Sequence, residues 1–194
     1  MQRLFVAVPV PEELSGGLVD VMEGFAGADW VPEESLHLTL RFIGEVDGSL
    51  ARDCLDALDQ VRAAAFSIAI TGVDRFETKG MVRTLWAGIT RSPDLALLHD
   101  RIDHALVRAG CPPDRRRFTP HVTLARVAEA APVRVIDWLS RHAGLSLGPW
   151  SISTFSVYSS WRSGSGPIYR EEARFALDGA PPADWEDEPS WDEV

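Results

Sequence analysis

Two short segments of this chain repeat one another. His37-Leu38-Thr39-Leu40 and His121-Val122-Thr123-Leu124 both read His-apolar-Thr-Leu. Each lies where apolar and polar residues alternate, the period of a β-strand. On a strand, His37 and Thr39 project to one face while Leu38 and Leu40 turn to the core, and the second copy behaves alike. Each motif thus sets an imidazole beside a hydroxyl over an apolar backing. Two such strands placed near each other would form a cleft with two imidazoles and two hydroxyl donors. That arrangement suits in-line displacement at a phosphate: one histidine takes a proton from attacking water, the other protonates the departing oxygen, and the threonines bond the non-bridging oxygens. A single His-x-Thr is an ordinary strand feature with a satisfied imidazole. Two copies with the same fourth residue point to chemistry, although their symmetry leaves open which histidine is the acid.

The elements that must position these motifs follow from turn and cap signals. Leu4–Val8 reads as a strand closed by Pro9, and Pro11-Glu12-Glu13 opens a helix running to about Phe25. Leu36–Ile43 is a strand ending at Gly44, and Asp47-Gly48-Ser49 starts a helix to about Ala64. Phe66–Ile70 and Thr84–Ile89 are strands split by a polar loop over Glu77–Gly80. Ser92 caps a helix with Pro93 at its first position; Leu95, Leu98, Ile102, Ala105 and Ala109 line one face, and Gly110 ends it. Arg117–Val127 is a strand and Val133–His142 a short helix. Trp150–Ser159 and Ile168–Leu177 are closing strands around a Ser/Gly-rich loop from Ser160 to Gly166. The order mixes strand pairs with helices, so the fold class is α/β or α+β with much antiparallel pairing.

Neighbours of the motifs extend the site. Strict alternation puts Arg126 on the face of Val122 and Leu124, away from His121, unless the strand bulges or ends there. Phe118 can stack on a base or pack in the core. Arg41 shares the His37–Thr39 face by alternation, where it touches phosphate or stands in solvent. His99, His104 and His142 fall on helices as surface or satisfied residues. His99 and Asp103 have an i, i+4 spacing that could mimic a metal pair, but no third ligand is visible.

Composition bounds the rest. The 194 residues, 45% hydrophobic and 25% charged, suit one compact domain or two small lobes sharing a core. No apolar run reaches the roughly 18–20 residues needed to span a bilayer, and the start at Met1 reads as a strand rather than a signal peptide. A cytoplasmic protein is the expectation. Cys54 and Cys111 lack ligand or redox spacing and read as buried free thiols. A net charge of −10 excludes a broad basic field for nucleic acid. Six of the carboxylates, however, crowd into the stretch from Ala180 to Val194, which is Pro-rich, lacks Lys and Arg, and is expected to be a disordered tail beyond a domain over residues 1–178. Lys79 is the only lysine; the remaining cations are arginines, a side chain suited to phosphate.

The chain resembles the two-histidine phosphoesterases, and within them the bacterial and archaeal RNA 2',3'-cyclic phosphodiesterases historically named 2'-5' RNA ligases. The resemblance runs from about Arg3 to Leu177. It rests on Arg3-Leu4-Phe5-Val6-Ala7, on the first motif with Phe42-Ile43-Gly44-Glu45-Val46, on Val82–Trp86, on Arg117–Arg126, and on Val157-Tyr158-Ser159-Ser160. It implies two lobes of approximate two-fold symmetry with mixed, largely antiparallel sheets around a central cleft and helices outside. His37 would donate a proton to the leaving 3' oxygen and His121 would activate water, leaving a terminal 2'-phosphate. Thr39 and Thr123 would hold phosphate, with Arg126 and Phe118 as further substrate contacts. The expected partners are RNA 3' ends or nucleoside cyclic phosphates, handled by a monomer with no metal, cofactor or membrane. A small cyclic phosphate, a 2'-5' oligonucleotide, reverse ligation and a non-catalytic RNA-binding module are the alternatives.

Overall fold

The computed structural model describes residues 1–23, 27–128, 132–163 and 166–177. Its strands are β1 (Gln2–Pro9), β2 (Ala28–Trp30), β3 (His37–Val46), β4 (Phe66–Thr78), β5 (Met81–Ile89), β6 (His121–Val127), β7 (Ser146–Ile152), β8 (Thr154–Ser163) and β9 (Gly166–Ala176). The helices are α1 (Glu12–Val19), α2 (Gly48–Asp59), α3 (Pro93–Arg108) and α4 (Pro132–His142), with a 3₁₀ turn over Glu33–Ser35. This is the expected α+β class. The expected caps form: Asp47 accepts from the amides of Ser49 and Leu50, and the Ser92 hydroxyl accepts from Leu95.

Among the described residues, all nine strands join one antiparallel sheet in the order β7-β4-β5-β6-β3-β1-β8-β9, with β2 pairing β6. The sheet has two four-stranded halves, β6-β5-β4-β7 and β3-β1-β8-β9. They meet at a single bridge, Leu38 opposite Val122. The two halves place their histidine strands innermost, so an approximate two-fold axis passes through that bridge. Both bridge residues are fully buried, in one core with Leu98 and Ile102 of α3 and Leu58 of α2. The helices therefore cover the leucine face and leave the histidine face open.

Several expectations change. Helix α1 ends at Val19, and Phe25, placed at its end by the sequence reading, lies outside the described residues. The same holds for the acidic tail after Leu177. β6 begins at His121 rather than Arg117. The Glu77–Gly80 loop shrinks to a two-residue turn, Lys79-Gly80, with φ of 54° and 75°. Two successive positive φ values make the right-twisted hairpin turn for which glycine is suited, and they let β4 and β5 run to Thr78 and from Met81.

Gly88 of β5 lies opposite His121, and a Cβ built on it would sit 2.6 Å from the Thr71 carbonyl oxygen of β4. That neighbour is backbone and cannot swing away. Gly88→Ala is expected to lower stability by about 1–3 kcal/mol through overpacking, read as a lower urea midpoint. An unchanged midpoint would show that β4 yields without strain.

Candidate active site

The Leu38–Val122 bridge carries the site. In an antiparallel register, one step either way sets His37 opposite Thr123 and Thr39 opposite His121. Side chains alternate, so these four share the open face and form a quartet of two imidazoles and two hydroxyls. All four are half-buried, whereas Leu38 and Val122 between them are sealed in the core.

Each imidazole is held in the same way. Nδ1 of His37 lies 2.7 Å from the Ser35 carbonyl, and Nδ1 of His121 lies 2.6 Å from the Thr119 carbonyl. A carbonyl only accepts, so Nδ1 carries the proton and Nε2 of the neutral ring is left as the base. Aromatic walls fix the ring planes. His37 packs against Phe5 at 5.1 Å and edge-on to Tyr169 at 5.4 Å. His121 packs edge-on to Phe76 at 4.9 Å and against Trp86 at 5.6 Å.

The same surroundings tune the rings. Burial pushes the pKa of His37 below its ordinary value, partly opposed by the bond to Ser35, and a charge on His121 lowers it further. Burial also lowers His121, opposed by the bond to Thr119. A proton on one ring therefore discourages a proton on the other.

A bulge follows each motif. On β3 the register against β1 moves from Thr39 opposite Ala7 to Arg41 opposite Val6, leaving Leu40 as the extra residue. On β6 it moves from Thr123 opposite Trp86 to Ala125 opposite Leu85, leaving Leu124 extra. Alternation is thereby reset: Leu40 and Arg41 are both buried, as are Leu124 and Ala125, and Phe42 and Arg126 emerge on the histidine face. Arg126 thus meets the condition set for it by the sequence and stands on the side of His121 and Thr123.

The bulge also corrects the reading of Arg41. This residue does not stand in solvent; it is only 5% exposed and lies in the wall of the groove with Thr39 and Phe42. Its guanidinium pairs with Asp103 of α3 and Asp114, and it donates to the carbonyls of Phe42 and Pro112, the latter at 2.6 Å. A buried cation at that depth requires such partners. Asp103 is therefore Arg41's counter-ion rather than half of a metal pair with His99. Among the described residues, no group of three or more His, Cys, Asp or Glu is arranged to hold a metal ion.

A groove of about 270 Å³ opens beside Thr39 and His121, lined among others by Phe42, His99, Arg116 and Phe118. Phe118 is half-buried and stacks on His99 at 4.0 Å with the rings 15° apart, so it packs against the core and lines the groove at once. The sequence reading passed over Phe42, Arg116 and the role of His99. For Phe42 a signal was available, since it and Arg126 each stand five residues after their histidine.

Cys54 and Cys111 are buried free thiols 3.4 Å apart, as expected. Burial and the contact with Cys111 push the Cys54 thiol up to about 12. No described helix is long and apolar enough to cross a membrane.

The family model of the 2'-5' RNA ligase superfamily matches residues 10–162. An Aeropyrum pernix protein named RNA 2',3'-cyclic phosphodiesterase is 32% identical over 142 residues, covering 72% of this chain and 81% of its own. A Thermotoga maritima protein of the same name is 32% identical over 177 residues, covering 87% and 91%. The crystal structure of Escherichia coli LigT complexed with 3'-AMP superposes with a TM-score of 0.75 at 25% identity, covering 91% of this chain and 98% of that one. With both motifs seated at the junction of the sheet and the family model spanning most of the described fold, the chain belongs to the 2'-5' RNA ligase superfamily.

Proposed function

We propose that this chain hydrolyses the 2',3'-cyclic phosphate at an RNA 3' end to a terminal 2'-phosphate, using His37 and His121 as acid and base without a metal. The observation that carries the reading is the Leu38–Val122 bridge, which gathers both histidines and both threonines on one open face. Relatives named for this activity, at 32% identity over most of the chain, support it. In the reaction, Nε2 of His121 takes a proton from water as its oxygen bonds to phosphorus. The P–O3' bond breaks in line, and Nε2 of His37 protonates O3'. The Thr39 and Thr123 hydroxyls donate to the non-bridging oxygens, where charge accumulates. Arg126, on the same face, adds a positive charge to the phosphate side of the cleft.

The test is turnover in EDTA of a short RNA ending in a cyclic phosphate, compared with a mononucleoside 2',3'-cyclic phosphate. Faster turnover of the RNA supports an RNA-end enzyme. Turnover of the mononucleotide alone would replace RNA with a small cyclic phosphate as the substrate.

The pH profile follows from the paired imidazoles. The working form has one ring charged and one neutral. Below the lower macroscopic pKa both are charged and no base remains; above the upper one both are neutral and no acid remains. Both are displaced downward by burial. A plot of kcat/KM against pH is therefore expected to be a bell with its maximum below about 6.5, the ordinary histidine value. A maximum above about pH 7.5, or a flat profile, would contradict a two-histidine mechanism in these surroundings.

A further inference from the structure

We propose that Cys54 and Cys111 are an oxidisable pair that closes to a disulfide and staples α2 to the segment leading into β6. Their sulfurs lie 3.4 Å apart, although 57 positions separate the two residues in the chain. A disulfide holds its sulfurs about 2.0 Å apart, so closure asks for a shift of about 1.4 Å, the size that small side-chain rotations give.

Local structure brings the pair together. Cys54 stands on the buried face of α2 with Ala51 and Leu58, in the stripe spacing of a helix. Cys111 follows the cap of α3. There the Gly110 amide donates to the Val107 carbonyl and the Cys111 amide to that of Leu106, with Gly110 at a φ of 105°. This paired cap is the left-handed helix ending that glycine favours, and it turns Cys111 inward onto α2. Cys54 is completely sealed and Cys111 is 5% exposed. Among the described residues no third His, Cys, Asp or Glu joins them as a metal set, which leaves a covalent bond as the chemistry open to two adjoining sulfurs.

The contact also orders the steps. Burial and the neighbouring sulfur push Cys54 up to about 12, so Cys54 keeps its proton and donates it toward Cys111. Cys111, the less sealed sulfur, is the one that meets an oxidant. With a peroxide, Cys111 attacks one peroxide oxygen, the O–O bond breaks, and a sulfenic acid and water form. Cys54 then loses its proton as its sulfur displaces the hydroxyl from Cys111, and a second water leaves. The two thiols give up two electrons and two protons, and the peroxide takes both. The staple anchors a segment on which the site depends. The Pro112 carbonyl accepts from Arg41, Asp114 pairs with Arg41 and Arg116, and the Thr119 carbonyl holds His121. Closing so long a loop also restricts the unfolded chain, which stabilises the fold.

The test exposes the reduced, full-length protein to excess hydrogen peroxide and, separately, to oxidised glutathione. The protein is then unfolded in N-ethylmaleimide and its intact mass measured. The expected product is lighter than the reduced chain by two hydrogens, takes up no maleimide and returns to the dithiol with dithiothreitol. Its Tm should exceed that of the reduced protein by about 5–15 °C. Cys111→Ser should leave Cys54 a free thiol through either exposure, whereas Cys54→Ser should let Cys111 gain oxygen or glutathione. Two labelled thiols after both oxidants, or oxygen added to separate cysteines, would overturn the pairing. So would a cross-link between molecules, or an oxidised form with a Tm no higher than that of the reduced one. The mass and the Tm are read on the wild-type chain and use no turnover, so they decide the matter even where a serine variant fails to fold.

Discussion

Replacing either His37 or His121 by alanine is expected to lower kcat/KM by about 10²–10⁴-fold, the usual worth of a positioned acid or base. Both rings stand half-buried on the open face, tied to the carbonyls of Ser35 and Thr119 and to aromatic walls. Their removal should leave the far-ultraviolet dichroism of the folded protein unchanged. The two losses should be of similar size, because the rings are equivalent across the Leu38–Val122 bridge. The double variant should lose less than the product of the single losses, since the acid and the base work in one step. Activity retained within about threefold in either single variant would remove that histidine from the chemistry.

The second large effect concerns the hydroxyls. Thr39→Val and Thr123→Val keep shape and delete one donor each. A donor aimed at charge that develops in the transition state is worth about 10²–10³ in kcat. The loss should appear in kcat with KM nearly unchanged, and Thr→Ser at either position should restore most of it. The register pairs each threonine with the other motif's histidine, so the two valine variants should match within about an order of magnitude. Loss in KM alone would make the hydroxyls ground-state contacts that bind substrate without favouring the transition state.

The quartet was legible in the sequence because alternation is a local rule. His37 and Thr39 share a face whatever their neighbours do, and the buried leucines of both motifs confirm the phase. Helix starts were legible for the same reason: Asp47 and Ser92 cap within three residues of their own position. The bulges were not legible, because an extra residue is defined only against a partner strand. Leu40 is extra relative to β1 and Leu124 relative to β5. One missed residue on each strand buried Arg41 in the groove wall and brought Phe42 and Arg126 out.

Two strands escaped notice for other reasons. β2 is three residues long and exists through pairing with β6, so it carries too little alternation to register. β7 contains Gly148-Pro149, which breaks a central strand but is tolerated where this one lies, at the edge of the sheet. The charges that position Arg116 come from α3 and the segment after it, separated in the chain from Arg41 by more than the length of a domain element. Such a network is a product of tertiary packing and has no sequence period to read.

The most direct measurement follows one turnover in ¹⁸O-labelled water, with an RNA ending in a 2',3'-cyclic phosphate and EDTA present, and locates both the label and the phosphate. A terminal 2'-phosphate carrying a single ¹⁸O, formed by wild type and lost in both alanine variants of His37 and His121, is the expected result. A 3'-phosphate product, or turnover that survives either substitution, would contradict the assignment of His37 to O3' and His121 to water.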